Sequence, residues 1–524
     1  MASIFERVDR IAGIETGGLA HFLERAAFAF LLIMAIAAPH SIAASQAAWI
    51  LGMLATLVRL AFKPRPSFKF TSLSIALAAL FLWSVISSAF SYEPATSFDK
   101  LRNVSLLLVF FFAYLNLRRL SAVYLVVGLL IVSTLVNVCW VIGSRINGRG
   151  VEIHGLTPEG PLARLKLADG ATLVSVDGKK LNSPDELVSA LKPDAPAKVL
   201  VYEYESYRDL ELSSADLVPG DQADRRLGIV DWSRSYNWRA QGFFGHFTTY
   251  AEALQLIASL LFGIIVASLS RRGGRVDSGL LRFATSTPVM IIALAATLIA
   301  LLLTVTRASQ LAFMVSAFVV IIMGGSRKLL IAAGLLAVPV VLGGLLFLQQ
   351  SRNVGLFDAS DESTLYRVTM WRDGLRLSTD SAHNLVFGIG MDSTKKHWQE
   401  WGMFRGGFMP FGHFHSTPLQ LLVERGLPAL AIWLAIVLLY GVTLVRAIRS
   451  QRRSTDNWLV GILLGCLGGL VGLFVSGIVH YNLGDGEVAL IFYLLMAVGV
   501  RTSQIVSGNY LKTAKQQMDY RMAA

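Results

Sequence analysis

His415 stands where a polar stretch of the chain gives way to a long apolar run that begins Ser416-Thr417-Pro418. A neutral imidazole at a bilayer surface can accept a proton from a hydroxyl at neutral pH. His413 lies two residues earlier. The position of His415 therefore predicts a general base, although a histidine at a helix start is often only a capping or packing residue.

Two arginine-containing clusters also lie at the ends of apolar runs. Arg239 opens the segment Arg-Ala-Gln-Gly-Phe-Phe-Gly-His, which ends at His246, and Arg307 lies in the very short turn 304–309. An arginine at the edge of the hydrocarbon is costly unless it binds an anion. Two guanidiniums could hold a pyrophosphate through paired planar donors. The alternative is that each one only reaches out to lipid headgroups.

The composition is that of a membrane protein. The 524 residues are 54% hydrophobic and 16% charged, against about 25% charged residues in a soluble protein. We expect an all-α polytopic membrane protein with about twelve transmembrane helices, because runs long enough to cross the hydrocarbon recur along the chain. The predicted spans are 22–40, 45–61, 72–91, 104–118, 121–143, 247–270, 286–305, 308–324, 328–348, 416–446, 457–481 and 485–502.

Basic residues predict the orientation of these helices. Short connections rich in arginine and lysine alternate with connections that are poor in them, and the positive-inside rule places the basic ones, with both termini, in the cytoplasm. The three polar clusters then share the outer face. The net charge of +12 reflects this topology and contact with anionic lipid, not binding to nucleic acid. The basic connections contain Arg59, Lys63, Arg65 and Lys69; Arg118 and Arg119; Arg271, Arg272 and Arg275; Arg327 and Lys328; and Arg446, Arg449, Arg452 and Arg453.

Three isolated residues inside the apolar runs also carry predictions. Cys139 and Cys466 lie in separate predicted spans, which indicates two buried apolar residues and neither a disulfide nor a metal site. Glu252 lies in the span 247–270, and we expect it to pair with an arginine. The first apolar run has no small-residue cleavage site behind it, so we expect it to remain in the protein.

The outer segment 145–246 has the chemistry of turns and strands. Residues 171–176 alternate between apolar and polar side chains, Asp177-Gly178 is a hairpin signal, and Pro184 stands at the first position of a short helix. The order of these features resembles the PDZ domains of bacterial envelope proteases. It predicts a small α+β PDZ-like periplasmic insert at 148–215. Because no glycine-bearing carboxylate-binding loop precedes it, a spacer role or docking of a periplasmic protein partner is expected.

The second outer segment, 349–415, contains Tyr366-Arg367-Val-Thr-Met-Trp371, which is typical of an amphipathic helix, followed by Phe387-Gly-Ile-Gly390. A loop of this length in a compact protein is usually functional. The sequence is thus divided into transmembrane helices 1–5 at 1–147, the insert at 148–215, helices 6–9 at 216–348, a periplasmic catalytic loop at 349–415, and helices 10–12 with a cytoplasmic tail at 416–524.

The segment at His415 resembles the signature of the O-antigen ligase and Wzy-type polymerase superfamily. That signature is His followed by Asn, Ser or Gln, nine residues, Gly, two residues, and Gly, Thr or Tyr. His415-Ser416 and Gly426 match it, while Ala429 departs from it. The segments containing Arg239, Arg307 and Arg367-x-x-x-Trp371 resemble the arginine segments of the same superfamily, whereas the PDZ-like insert lies outside its usual pattern.

The resemblance implies a GT-C-like fold in the bacterial inner membrane. It implies an enzyme that transfers a glycan from undecaprenyl pyrophosphate to an acceptor hydroxyl, on lipid A-core, at the periplasmic face. Arg239 and Arg307 would bind the pyrophosphate and His415 would act on the acceptor. No Asp-x-Asp stands at a helix end, so a mechanism without metal or cofactor is expected. The side chains expected to bind substrate are Arg367, His413, His246, Trp371 and Ser416.

Four other functions share some of these sequence features. A Wzy-type polymerase shares the donor chemistry and differs in its acceptor, and the ligase is only slightly favoured over it. A protein O-oligosaccharyltransferase usually has a long soluble C-terminal region, which is not expected here. A lipid-linked oligosaccharide flippase would place charges in the middle of several spans, whereas here the polar residues gather at the ends. An intramembrane metalloprotease needs His-Glu-x-x-His, which the sequence lacks.

Overall fold

The structure is a computed structural model that describes residues 4–66, 68, 70–193, 195–204, 206–236, 238–270, 286–331, 362–404, 413–451 and 454–523. The chain forms two compact units. The first comprises Met1–Leu135, Phe243–Leu302 and Thr306–Ala524, and the second comprises Val136–Gly242 with Leu303–Val305.

The expected fold class is confirmed: the described chain is mostly helical, with one small antiparallel sheet. Nine of its described helices are long and apolar enough to cross a membrane, and Thr287–Leu303 is a shorter apolar helix of 17 residues. The count of twelve spans is not confirmed. The nine candidate spans are Gly18–Ala37, Ile42–Leu60, Ser72–Ala89, Leu120–Asn147, Phe247–Ser270, Arg307–Gly324, Thr417–Ser450, Asn457–Gly477 and Gly486–Ser507.

Two predicted spans differ from these. In place of a single helix at 104–118, the helix Pro94–Val104 continues through a 3-10 turn at Ser105–Leu107 into Leu108–Asn116. The backbone keeps helical angles across both junctions. Most of the predicted span 328–348 lies outside the described residues, since 332–348 are not among them.

Glycines in the helix Asn457–Gly477 allow it to pack closely against Phe247–Ser270. A Cβ atom at Gly461 would crowd the Cα atom of Ile264, and one at Gly465 would crowd that of Leu260. These glycines therefore allow the two helix backbones to approach each other closely.

The two cysteines differ in their surroundings. Cys466 is buried, as predicted, but Cys139 is exposed, so the prediction for Cys139 is wrong. A small apolar residue in a membrane helix can face lipid as readily as protein, because lipid tails are as apolar as a protein core.

The second unit contains a six-stranded antiparallel sheet. Its hydrophobic core includes Val151, Ile153, Leu173 and Val201. The sheet order is β5-β4-β2-β1-β6, with β3 paired to β2. The strands are β1 (Arg149–Leu156), β2 (Thr172–Val176), β3 (Lys179–Lys180), β4 (Ala197–Glu203), β5 (Ser206–Leu212) and β6 (Ile229–Ser235).

Local features of this unit follow the sequence. Asp177 and Gly178 connect β2 to β3, and Ser183 caps the helix Pro184–Ala190 by accepting a hydrogen bond from Glu186 N. The sheet also extends past residue 215, because β6 returns to pair with β1. The likeness to PDZ domains stays a prediction.

The described part of the segment 349–415 folds around the start of the helix Thr417–Ser450. It contains the helices Glu362–Thr379, Ala382–Phe387 and Thr394–His397. Met370, Ile389, Phe414, Leu419 and Val423 form its small hydrophobic core. This core holds the segment next to His415, on which the predicted chemistry depends.

Candidate active site

His415 lies just before the helix Thr417–Ser450, which Ser416 caps by accepting a hydrogen bond from Leu419 N. Its φ is +46°, in the left-handed region that residues other than glycine enter rarely. Such strained backbone persists where the surrounding structure holds it, and it is concentrated at functional sites. The ring of His413 lies edge-on to the ring of His415, with 4.2 Å between their centroids. The structure thus brings the two predicted histidines together.

The peptide between the two histidines is held from both sides. Phe414 N donates to Gln420 Oε1 at 2.6 Å, and Phe414 O accepts from the indole of Trp371 at 2.9 Å. Gly374, one turn after Trp371, leaves no room for a Cβ atom beside the Phe414 ring. Trp371 therefore fixes the backbone that carries both imidazoles, and its predicted contact with substrate stays a prediction.

Burial and positive neighbours disfavour protonation of His415. Desolvation, followed by the charges of His413, Arg367 and His246, lowers the pKa of His415 to about 3. Burial, followed by the charge of Lys395, also lowers the pKa of His413. Both imidazoles are therefore neutral at neutral pH, which is the form that can accept a proton.

A third imidazole, His480, belongs to the same cluster and was not predicted. The carbonyl oxygen of His480 accepts from Thr417 N at 3.0 Å and from Thr417 Oγ1 at 3.1 Å. Burial, then the charge of Arg367, lowers the pKa of His480 to about 3. The only signal in the sequence was a polar residue at the end of a glycine-rich span.

Glu252 is the buried partner of His480. Its Oε1 lies 3.8 Å from His480 Nδ1, and its side chain is 1% exposed. Neither carboxylate oxygen has a hydrogen-bond partner within the described ranges. The expected pairing with an arginine is therefore wrong: within the described chain, the group found beside the Glu252 carboxyl is the imidazole of His480.

Gly426, the glycine of the signature, interrupts the long helix. Its φ of +78° and ψ of 175° are not helical, and Pro428 follows two residues later. A Cβ atom at Gly426 would overlap the carbonyl oxygen of Val386. The glycine is thus required both by its backbone angles and by the close approach of another segment.

The kink frees carbonyl groups at the end of the first helical section, and the Gly-Ile-Gly segment bonds to them. Ile389 N donates to Val423 O, and Gly390 N donates to Glu424 O, each at 2.9 Å. The indole of Trp83 donates to Arg425 O at 2.8 Å. These bonds satisfy groups that a helix end otherwise leaves without partners.

Glu424 and Arg425 are buried ionisable residues that sequence reasoning did not select. Glu424 Oε1 accepts from Asp392 N at 2.9 Å. Arg425 donates to Ser84 Oγ and Tyr481 Oη, each at 3.3 Å. Both residues lie within the signature, directly before Gly426. In the sequence they look like an ordinary pair of exposed charged residues, and only the structure shows that both are buried.

The remaining predicted site residues fall in different places. Arg307 is half-buried at the first position of the helix Arg307–Gly324, and none of the described residues forms a hydrogen bond or ion pair with its guanidinium. Arg367 is half-buried and close enough to His415 and His480 to lower the pKa of both. His246 is exposed, and its charge acts on the same two imidazoles.

Arg239 belongs to the second unit. Its guanidinium donates to Thr304 O at 2.8 Å and to Val305 O at 3.1 Å, and its backbone N donates to the Tyr202 hydroxyl at 3.1 Å. Arg239 therefore holds the turn that stands just before Thr306-Arg307 in the chain.

Comparison with known proteins identifies the part of the chain that contains this site. Residues 292–434 match the Wzy_C family model, described as O-Antigen ligase. This segment is an O-antigen ligase domain. It contains Arg307, Arg367, His413, His415 and Gly426, so the resemblance drawn from the sequence is confirmed. No curated protein matches the chain.

The O-antigen ligase domain covers about a quarter of the 524 residues. Its family consists of glycosyltransferase-like ligases and polymerases, and the apolar helices make this chain a multi-pass membrane protein. Arg239, Glu252 and His480 lie outside the matched residues, so only the folded first unit shows that Glu252 and His480 accompany the histidine pair.

Proposed function

We propose that this protein is an O-antigen ligase-like glycosyltransferase. It moves a glycan from undecaprenyl pyrophosphate to a hydroxyl of lipid A-core at the periplasmic face of the bacterial inner membrane, without a metal or cofactor. The observation that carries the proposal is the pair of neutral, half-buried imidazoles of His413 and His415 inside an O-antigen ligase domain.

In this reaction His415 accepts the proton of the acceptor hydroxyl. The hydroxyl oxygen forms a bond to the anomeric carbon of the donor sugar, and the bond from that carbon to the diphosphate oxygen breaks. The electron pair leaves with the diphosphate, so a direct displacement inverts the configuration at the sugar. A positioned base typically accelerates such a step by about 10²–10⁴-fold.

The low pKa of His415 has a consequence for the timing of this step. A base with a pKa of about 3 is weak. A bound diphosphate places negative charge near the imidazole, which raises its pKa because an opposite charge favours the protonated form. His415 thus becomes a stronger base when the donor is bound.

Arg239 and Arg307 bind the diphosphate in this proposal and stabilise the charge that develops on the leaving group. Arg239 also fixes the turn that precedes Arg307 in the chain, through its bonds to Thr304 O and Val305 O. Arg367, His413, His246, Trp371 and Ser416 complete the substrate site.

The topology belongs to the same proposal. Both termini lie in the cytoplasm, and the sheet-containing insert lies in the periplasm, where it docks a protein partner or acts as a spacer. The loop that ends at His415 is the catalytic loop, and the bilayer supplies the donor lipid.

Deletion of the gene, followed by complementation, tests the function. With a missing ligase, full-length glycan accumulates on the polyprenol carrier. With a missing polymerase, single repeats appear on lipid A-core instead. A flippase would leave the lipid-linked glycan in the cytoplasmic leaflet. Wild-type protein should restore transfer, whereas His415→Ala should insert normally and fail to restore it. The matched control is His154→Ala, which removes an exposed histidine of the insert. Normal glycan output with His415→Ala would remove this histidine from the mechanism.

A further inference from the structure

A cavity of about 190 Å³ lies within the first unit, next to the histidine pair. Its walls come from the helix Pro94–Val104, the first section of Thr417–Ser450, and the segment after Asn457–Gly477. His413 forms one wall, and the ring of His413 contacts the ring of His415. A molecule in the cavity would therefore lie beside the proposed base.

The formal charges that line the cavity cancel. Lys100, Lys395 and Arg425 contribute three positive charges, and Asp392, Glu424 and Asp485 contribute three negative ones. The two lysines both pair with Asp392, at distances of 2.7 Å and 3.0 Å. Such a lining gives little net attraction to a diphosphate, which calls for unopposed guanidinium or ammonium groups.

Two buried polar atoms of the lining lack a partner in the described part of the chain. They are Arg425 Nε and His413 Nδ1, and Arg425 is only 4% exposed. A buried polar group without a hydrogen bond is costly. Both atoms are almost fully covered by protein, so a ligand in the cavity would reach other polar groups of the lining, such as those of Asn103, Gln420 and Asp485.

We propose that this cavity is a sugar-binding subsite, which holds one neutral sugar residue with a hydroxyl directed to the histidine pair. The carboxylates accept hydrogen bonds from sugar hydroxyls, and Arg425 and Asn103 donate to sugar oxygens. The proposal rests on the glycosyl transfer proposed above and adds the place where a sugar is recognised. The sugar belongs either to the acceptor or to the transferred glycan.

Filling the cavity tests this assignment. Asn103 lines the cavity, whereas Arg102, its neighbour on the same helix, is exposed. Full-length Asn103→Trp should raise the KM of one glycan substrate by about tenfold or more, because the ring occupies the space of a sugar. Arg102→Trp adds the same ring outside the cavity and should leave both KM values near those of the wild type.

Three measurements decide the outcome: the KM for lipid A-core extracted from the deletion strain, the KM for its polyprenol-linked glycan, and inhibition by inorganic pyrophosphate. A higher KM for lipid A-core assigns the sugar to the acceptor, and a higher KM for the polyprenol-linked glycan assigns it to the donor. In both cases inhibition by pyrophosphate should be unchanged.

Unchanged KM values for both substrates, or inhibition by pyrophosphate that weakens in parallel, would overturn the proposal. If Asn103→Trp does not insert stably, Asn103→Ala decides by the same three measurements with smaller changes. Failure of the proposed function is a separate result, because wild-type protein would then show no transfer at all.

Discussion

At the scale of single residues, the proposed chemistry depends on how three imidazoles are kept neutral. His413, His415 and His480 share burial as the largest cause of a lowered pKa. Arg367 adds to this effect at His415 and His480. The same charge that keeps His415 unprotonated also suits a site for an anionic donor.

The pH dependence of kcat/KM follows from this. A group with a lowered pKa is protonated only below that value, so His415, with a pKa of about 3, stays neutral between about pH 5 and 8. We expect kcat/KM, which reports the free enzyme, to show no loss from His415 protonation in that range. Burial raises the pKa of Asp485 to about 6. A fall of kcat/KM at acid pH that comes from protonation of Asp485 should therefore disappear in Asp485→Asn. A fall that persists in Asp485→Asn would be assigned to another titratable group of the site, such as Glu424, and would contradict the role given to Asp485.

Arg307 gives a second prediction at this scale. If its planar paired donors hold the diphosphate, Arg307→Lys should lose nearly as much activity as Arg307→Ala, about 10²–10³-fold in kcat as for other removed charge-stabilising donors. Single-turnover transfer measures this loss. Arg372→Lys, at an exposed position in the same domain, should be active. An active Arg307→Lys would mean that charge alone is sufficient.

At the scale of elements, the kink in Thr417–Ser450 joins the two parts of the site. It ends the first helical section at Arg425, so that the carbonyls of Val423 and Glu424 bond to the Gly-Ile-Gly segment. Gly388 and Gly390 both have positive φ and both approach neighbouring atoms too closely for a side chain. Gly426 of the signature and the Gly-Ile-Gly segment at 388–390 therefore form one structural feature.

A methyl group at Gly426 should break this feature. Gly426→Ala places a non-glycine residue at φ +78° and drives its Cβ atom into Val386 O. A residue other than glycine at these backbone angles alone costs about 1–3 kcal/mol. We expect a lower melting temperature in detergent together with loss of transfer. In Gly441→Ala, on the same helix, the nearest atom to the new Cβ would be Leu470 Cδ2 at 3.5 Å, an ordinary contact. Equal melting temperatures for the two variants would contradict the role of Gly426.

At the scale of the whole molecule, the sheet-containing insert is a separate unit with its own hydrophobic core. Its first and last strands pair with each other, and Arg149 stands opposite Ser235. The two ends of the insert therefore lie side by side, as expected for a domain added to an existing membrane protein.

Removal of the insert tests whether it takes part in the chemistry. Replacing 150–234 by a short glycine-serine linker should lower transfer by less than about tenfold, or ~1.4 kcal/mol of barrier, if the insert only docks a partner. Deletion of 150–215 is the informative comparison, because it leaves β6 without β1 and should fold poorly. Transfer by membranes that contain equal amounts of inserted protein measures both. If the protein that lacks 150–234 is stably inserted in the membrane but inactive, the insert takes a direct part in the transfer.

The sequence by itself determined the class of fold, the superfamily and the position of the signature histidine, because apolar length and motif spacing are local properties of the chain. It also determined the hairpin at Asp177-Gly178 and the capped helix after Ser183. Only the tertiary structure decided that His480 and Glu252 accompany His415 and that β6 closes the insert. These residues lie far apart in sequence, and burial, which disfavours the protonated forms of His415 and His480, exists only once the helices have packed.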